Sequence, residues 1–282
     1  MSIPYLGIQR LIDSFDVFFL DAYGVLVNAR GALPGAREFL GRLRDAGKSI
    51  LLLSNDASRL PETSSRRYQK FGLDLAVDQI VTSGHMLEGY FAETGLRGKR
   101  CIVLGTEDSR IYTREAGGVV TTPDDDSAEV IILADDDDYP FLETINQAIT
   151  VLLRRLSRGQ ETHLVMPNPD VVYPSGEDAF GICSGAIAAM FEAAARLRDP
   201  SGKVRAIPLG KPHPPMFQAA LRRFADHDPK RIVMVGDQLG ADILGANRAG
   251  LASVLILTGL SRESEIAGSG VKPTFLLRDL LS

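Results

Sequence analysis

The chain reads as an α/β protein with a Rossmann-like, doubly wound parallel sheet, and three observations lead there. Short, wholly apolar runs (VFFL at Val17–Leu20, ILLL at Ile50–Leu53, IVMV at Ile232–Val235) have the continuous hydrophobicity of strands buried on both faces. Helix-like stretches ended by glycine alternate with them. A polar residue stands just beyond each strand: Asp21, Ser54 and Asp237, with Lys211 shortly after Ile207–Leu209. In an open α/β sheet the carboxyl ends of the strands form one rim, and ligands bind there.

Taken in order, VFFL leads to a turn, and Pro34–Arg44 reads as a helix stopped by Gly47. The strand run SILLL follows, then a helix at Leu60–Phe71 closed by Gly72, and a short strand at Gln79–Thr82. The last third repeats this grammar. Arg205–Leu209 reads as a strand, and Pro214–Phe224 as a helix whose prolines suit its first turn. Ile232–Val235 is the next strand, Leu239–Ala249 a helix ended by Gly250, and Ser253–Leu257 a further strand. Between these halves lie strand runs at Cys101–Leu104, Val130–Leu133 and His163–Met166, and helices at Phe141–Arg158 and Gly185–Arg198. The expected organisation is a discontinuous core of residues 1–83 and 205–282, with an α/β domain of residues 84–204 inserted into it.

At 282 residues, 45% hydrophobic and 24% charged, the chain has an ordinary soluble composition. A net charge of −5 gives no basic nucleic-acid surface. The longest uncharged stretch, Ala179–Phe191, is too short to span a bilayer. Two cysteines, Cys101 and Cys183, make no disulfide framework in a chain this long. A cytoplasmic protein with neither a nucleic-acid nor a membrane partner is therefore expected. The four histidines lack metal-ligand spacing, and no Walker-type phosphate loop occurs. The acidic clusters Asp124–Asp126 and Asp135–Asp138 read as solvated loops or helix entries.

Four motifs carry the chemistry. In DAYGVL, Asp21 ends a strand and precedes a glycine-containing turn, so its carboxylate is placed to approach phosphorus. Ser54 and Asn55 of LLLSN offer donors to phosphoryl oxygens, although both types are also ordinary caps. Lys211 of LGKP is placed to neutralise charge on nucleophile and phosphoryl group. Asp237 and Asp242 of VGDQLGAD, five positions apart across a strand-to-helix turn, suit magnesium, which prefers a few carboxylates plus water and phosphate oxygens. Taken singly, Asp21 is a weak signal, since an Asp after a strand is commonly a cap, and Ser54 decides nothing; the set of four is what carries the reading.

In this order and on these strand ends, the motifs resemble those of the haloacid dehalogenase (HAD) superfamily. Only one helix separates Asp21 from Ser54, and the large insert falls between Ser54 and Lys211. That layout resembles class IIA, the NagD-type, p-nitrophenyl phosphatase-like branch. Asn168-Pro169-Asp170 followed by CSGAIAAMFEA resembles that branch's cap segment, and GKPHPPMF and GDQLGADILGANRAG resemble its later motifs. The resemblance implies a magnesium-dependent phosphatase acting on a small, sugar-phosphate-like metabolite. Asp21 would be the nucleophile, forming an aspartyl-phosphate. Ser54, Asn55 and Lys211 would hold the phosphoryl group. Asp21, Asp237, Asp242 and the Tyr23 carbonyl would surround the metal, while cap residues Asn168 and Asp170 would meet the substrate. Relatives of this kind often pair through their caps, so a homodimer is an expected arrangement.

Tyr23 departs from this pattern. HAD phosphatases usually carry a second Asp there, which protonates the leaving oxygen and then activates water. A phenol holds its proton at neutral pH and is a poor base. Asp56 and Asp170 are candidate substitutes. Three readings therefore stand: a phosphatase, slow or limited to good leaving groups; a phospholigand binder without turnover; and a 2-haloacid dehalogenase-type hydrolase. Tyrosine at this place suits the last, but cap position and the retained Asp237 and Asp242 oppose it.

Overall fold

The run Val17–Leu20 is buried along its whole length, as a strand covered on both faces must be. In the computed structural model, which describes residues 3–176 and 179–281, this run lies inside a six-stranded sheet. Its neighbours are Ile232–Gly236 on one side and Ser49–Ser54 on the other, both parallel to it. Beyond Ile232–Gly236 come Ala252–Ile256 and Phe275–Leu277; beyond Ser49–Ser54 comes Ile80–Thr82. Leu20 stands opposite Val235 and Leu52, so the three central strands end at one edge of the sheet, Ile232–Gly236 running one residue and Ser49–Ser54 two residues past the level of Leu20.

The helices of this sheet form because their apolar residues recur at helical spacing. Ala36–Asp45 buries Ala36, Phe39, Leu40 and Leu43, one stripe of the helix. Phe39 meets Phe18 of the central strand edge-on, with ring centroids 6.3 Å apart. Pro61–Lys70 and Pro214–Arg223 open with proline, whose missing N–H is no loss in a first turn. The expected helix Leu239–Ala249 begins instead as a wide turn, Leu239–Ile243, in which the N–H groups of both Asp242 and Ile243 bond the Gln238 carbonyl. It continues as Leu244–Arg248.

The chain divides into two compact units. One holds Met1–Ser54, Pro61–Val81 and Lys211–Ser282; the other holds Asn55–Leu60 and Thr82–Gly210. The second unit has its own five-stranded parallel sheet, in the order Ala206–Pro208, His163–Met166, Val130–Leu133, Arg100–Leu104 and Val119–Thr121. This changes one expectation. The strand at 205–209, expected in the core, pairs instead with His163–Met166 as an edge strand of the second sheet. A run of three or four apolar residues marks a strand but does not say which sheet it joins. Lys211 accordingly begins the return to the first unit, and residues 55–60 lie with the second. The helix Phe141–Ser157 buries Ile145, Ala148, Val151 and Leu152 in that second unit's core, while its buried Arg155 bonds Thr162 and the Asp126 and Glu161 carbonyls. Two short antiparallel hairpins, Val27–Asn28 with Gly31–Ala32 and Val172–Gly176 with Ala179–Ile182, carry no apolar run long enough to foretell them. Among the described residues no helix is long and apolar enough to cross a membrane.

Candidate active site

Asp21 is the residue after Val17–Leu20, and its N–H still bonds the Val235 carbonyl at 2.9 Å. That bond extends the ladder by one step and sets Asp21 beside Asp237, which directly follows the next strand. Asp242 reaches back from the wide helical turn, where its Oδ2 accepts the Gln238 N–H at 3.1 Å. Lys211 joins the group, its Nζ donating to Asp21 Oδ1 at 2.6 Å and to Asp242 Oδ1 at 2.7 Å. All four side chains are buried.

One ammonium among three buried carboxylates leaves a negative surplus. Burial opposes the charge on Lys211, but Asp21 and Asp242 outweigh it and hold the ammonium above its ordinary pKa. Burial drives the Asp21 carboxyl above the usual carboxylate range; Lys211 opposes this and Asp242 reinforces it. Asp237 is driven well above that range by burial and then by Asp21 and Asp242. Its Oδ2 accepts the Leu260 N–H at 2.7 Å, while its Oδ1 is buried with no hydrogen-bond partner. An uncompensated buried carboxylate oxygen is unfavourable. A divalent cation would compensate it, and one oxygen from each of Asp21, Asp237 and Asp242 lies within 4.8 Å of the others. All three donors are hard oxygens, the type magnesium takes. The residues present fit such an ion.

Backbone without side chains makes room for Asp237. A Cβ at Gly24, whose φ is +77°, would stand 2.3 Å from Asp237 Oδ2, and one at Gly259 would stand 1.9 Å from the same oxygen. Thr258 Oγ1 ties the two segments together by donating to the Gly24 carbonyl at 2.5 Å. Gly24→Ala is therefore expected to lose about 2–4 kcal/mol of stability, through left-handed strain and displacement of Asp237. Magnesium affinity should weaken at least about tenfold with it. Denaturant melts and magnesium titration read these effects; wild-type values in both would remove Gly24 from the cradle.

Ser54, the last residue of its strand, is buried at the same rim of the first unit. Tyr23 is half-buried, and its phenol oxygen accepts from Arg67 Nη2 at 2.6 Å. The Arg67 guanidinium stacks over the Tyr23 ring and over Phe71, 5.4 Å from each centroid. The remaining expected residues belong to the second unit. There the Asn55 amide donates to Asp170 Oδ1 at 2.9 Å, and Asn168 Oδ1 accepts the Asp170 N–H at 3.0 Å. Asn168-Pro169-Asp170 is thus a turn held by its own side chain, with Asn55 bonded to it. Asp56 accepts the Ser58 N–H and hydroxyl and pairs with Arg59 at 2.9 Å. Both candidate substitutes for a general acid, Asp56 and Asp170, are therefore already engaged. Of the acidic clusters, Asp125 pairs with Arg100, and Asp126 with Arg154 and Arg158. Asp135 is less solvated than expected, and burial, with Asp56 and Asp136 nearby, raises its carboxyl to about 6.

Two contributors lie outside the four motifs. The segment Thr258–Gly259–Leu260 braces Asp237, and its signal is a threonine–glycine pair shortly after the strand Ala252–Ile256. Arg67 carries no such signal, because it lies on a polar helix far from any strand end.

A family model described as haloacid dehalogenase-like hydrolase matches residues 18–118, and a second, HAD-hydrolase-like, matches residues 208–282. Chronophin of Homo sapiens is 33% identical over 256 residues, covering 87% of this chain and 82% of its own length. Dihydroxyacetone phosphatase of Corynebacterium glutamicum is 28% identical over 263 residues, covering 93% of this chain and 88% of its own. Among solved structures, a possible sugar phosphatase of the HAD superfamily from Cytophaga hutchinsonii superposes with a TM-score of 0.87 at 28% identity, over 100% of this chain and 99% of that one. With its motifs in this order and its large second unit between Ser54 and Lys211, the chain belongs to the haloacid dehalogenase-like hydrolases, in their class IIA, NagD-type branch.

Proposed function

We propose that the chain is a magnesium-dependent phosphatase of small phosphorylated metabolites, working through an aspartyl-phosphate on Asp21. The observation that carries this is the buried trio Asp21, Asp237 and Asp242, bridged by Lys211, with Asp237 Oδ1 left unpartnered. Relatives named for phosphatase activity on small metabolites, such as the dihydroxyacetone phosphatase, support the substrate class. When bound, the cation supplies positive charge against the phosphoryl oxygens.

Lys211 holds Asp21 by its Oδ1 and so fixes the carboxylate's rotation. A carboxylate oxygen of Asp21 attacks phosphorus, and the bond from phosphorus to the ester oxygen breaks. Lys211 and the Ser54 hydroxyl stabilise the charge gathering on the phosphoryl oxygens. Water then hydrolyses the acyl phosphate, releasing inorganic phosphate and restoring Asp21. Choice among phosphate esters we assign to the second unit, with the Asn168–Asp170 turn and its partner Asn55 as the candidate contacts.

One observation favours a slower variant of this reading. At the position where this family usually carries a second acid the chain has Tyr23, whose phenol oxygen accepts from Arg67. The first step then depends on a good leaving group, and the second lacks a base. With 4-nitrophenyl phosphate and magnesium we expect a burst of 4-nitrophenol stoichiometric with the chain, followed by slow turnover. Chelation of magnesium by EDTA should lower the rate on the order of 10³-fold or more. Equal rates with and without magnesium would sink the proposal. Phosphate binding without any burst would favour a binder that does not turn over.

A further inference from the structure

We infer that the second unit carries an anion site for a small phosphate-bearing ligand, in an open surface groove of about 320 Å³ lined by Thr150, Leu153, Arg154, Ser157, Arg158 and Arg198. None of these residues belongs to the carboxylate cluster. Residues 150, 153, 154, 157 and 158 recur at three- and four-residue spacing, so the helix Phe141–Ser157 and the residue after it present them on one face. Arg198 comes from elsewhere, just beyond the helix Ser184–Ala195, and its Nε donates to Ser157 Oγ at 3.0 Å.

The charge count is what points to a ligand. Arg154 and Arg158 share one carboxylate, Asp126, each at 3.3 Å. Arg198 bonds only Ser157 Oγ and the Leu197 carbonyl, and no carboxylate among the described residues pairs with it. Three guanidiniums against one carboxylate leave two positive charges in surplus, on a chain whose net charge is −5. The carbonyl end of a helix accounts for basic residues in its last turn. It does not account for a third arginine brought in from another element.

The donor inventory narrows the ligand class. The hydroxyls of Thr150 and Ser157 already donate to the Asn146 and Leu153 carbonyls. The donors left are therefore guanidinium N–H groups, five per arginine before these bonds are subtracted. Forked cationic donors of this kind match the several terminal oxygens of a phosphate dianion. Leu153 adds an apolar wall on which a small organic group can rest.

The test is calorimetric titration of the magnesium-free chain in EDTA with inorganic phosphate and, separately, with glycerol phosphate. Without a cation the three-carboxylate cluster repels anions, so binding that persists in EDTA reports another site. Binding should weaken with added salt. It should also fall at least about tenfold in Arg154→Gln/Arg198→Gln, with the melting temperature unchanged. Equal binding of both probes would mean that the groove reads the phosphate group alone. Preference for the ester would mean that it also reads the organic part. Absence of binding in EDTA, an unaltered affinity in the double variant, or binding of citrate in preference to both probes would overturn the inference. Should the double variant not fold, Arg198→Gln alone removes the unpaired cation from a solvent-exposed position and reads the same effect.

Discussion

Asp21→Asn is expected to abolish turnover of 4-nitrophenyl phosphate, by at least roughly 10⁴-fold, while leaving the chain folded. The loss of rate follows from chemistry: an amide oxygen does not attack phosphorus to give a stable acyl phosphate, so the burst should vanish with the steady state. Retention of the fold follows from the surroundings of residue 21. Lys211 keeps Asp242 at 2.7 Å, and the Asn oxygen can still accept the bond that Asp21 Oδ1 accepts now. The substitution also removes one negative charge from a buried set of three carboxylates and one ammonium. Breaking a buried ion pair is usually strongly destabilising because it strands a charge. Here it relieves a surplus instead. In EDTA the melting temperature of Asp21→Asn should therefore equal or exceed that of the wild type. A fall of several degrees would mean that Asp21 is a structural partner of Lys211 first and a nucleophile second. A retained burst would remove Asp21 from the chemistry altogether.

The parts that are legible in the sequence are those written in local pattern. VFFL, ILLL and IVMV are strands because an unbroken apolar run has no exposed face to offer, and each proves buried throughout. Asp21 and Asp237 could be placed at one rim because parallel strands share a carboxyl end, and the register opposes Leu20 to Val235. Asp242 joins them by a local route, five residues on through a single turn. The parts that stay hidden depend on pairing or on space. Ala206–Pro208 has the composition of a strand in either sheet, and only its hydrogen bonds to His163–Met166 assign it. Asn55 is adjacent to Ser54 in sequence, yet it bonds Asp170, 115 positions away. Gly259 matters because of what it lacks, since a side chain there would occupy the place of Asp237. The clamp of Arg67 on Tyr23 joins residues 44 positions apart and leaves no periodic trace.

That clamp shapes the second large effect expected. Tyr23→Asp should raise the turnover of alkyl phosphates by about 10²-fold or more, within the range that general acid–base help supplies. A carboxyl at position 23 would hold a proton for the departing oxygen and then take one from the attacking water, two transfers that a phenol performs poorly. The gain should grow as the leaving group worsens. It should be small for burst formation from 4-nitrophenyl phosphate, whose leaving group departs without a proton, and large for its steady state, where water must be activated. Arg67 sets the condition on this result. Its guanidinium now sits 2.6 Å from the phenol oxygen, at the far end of a long side chain. An aspartate is too short to reach that place, so Arg67 should be left stacked on Phe71 instead of pairing with the new carboxyl. If the two did pair, the guanidinium would depress the aspartate's pKa and blunt its use as an acid. Tyr23→Asp/Arg67→Gln separates these cases: the double variant should match Tyr23→Asp where no pair forms, and exceed it where one does. An alkyl phosphatase rate unchanged from wild type in both variants would show that position 23 does not limit this enzyme. The proton for the leaving oxygen would then come from solvent or from a residue other than the one at position 23.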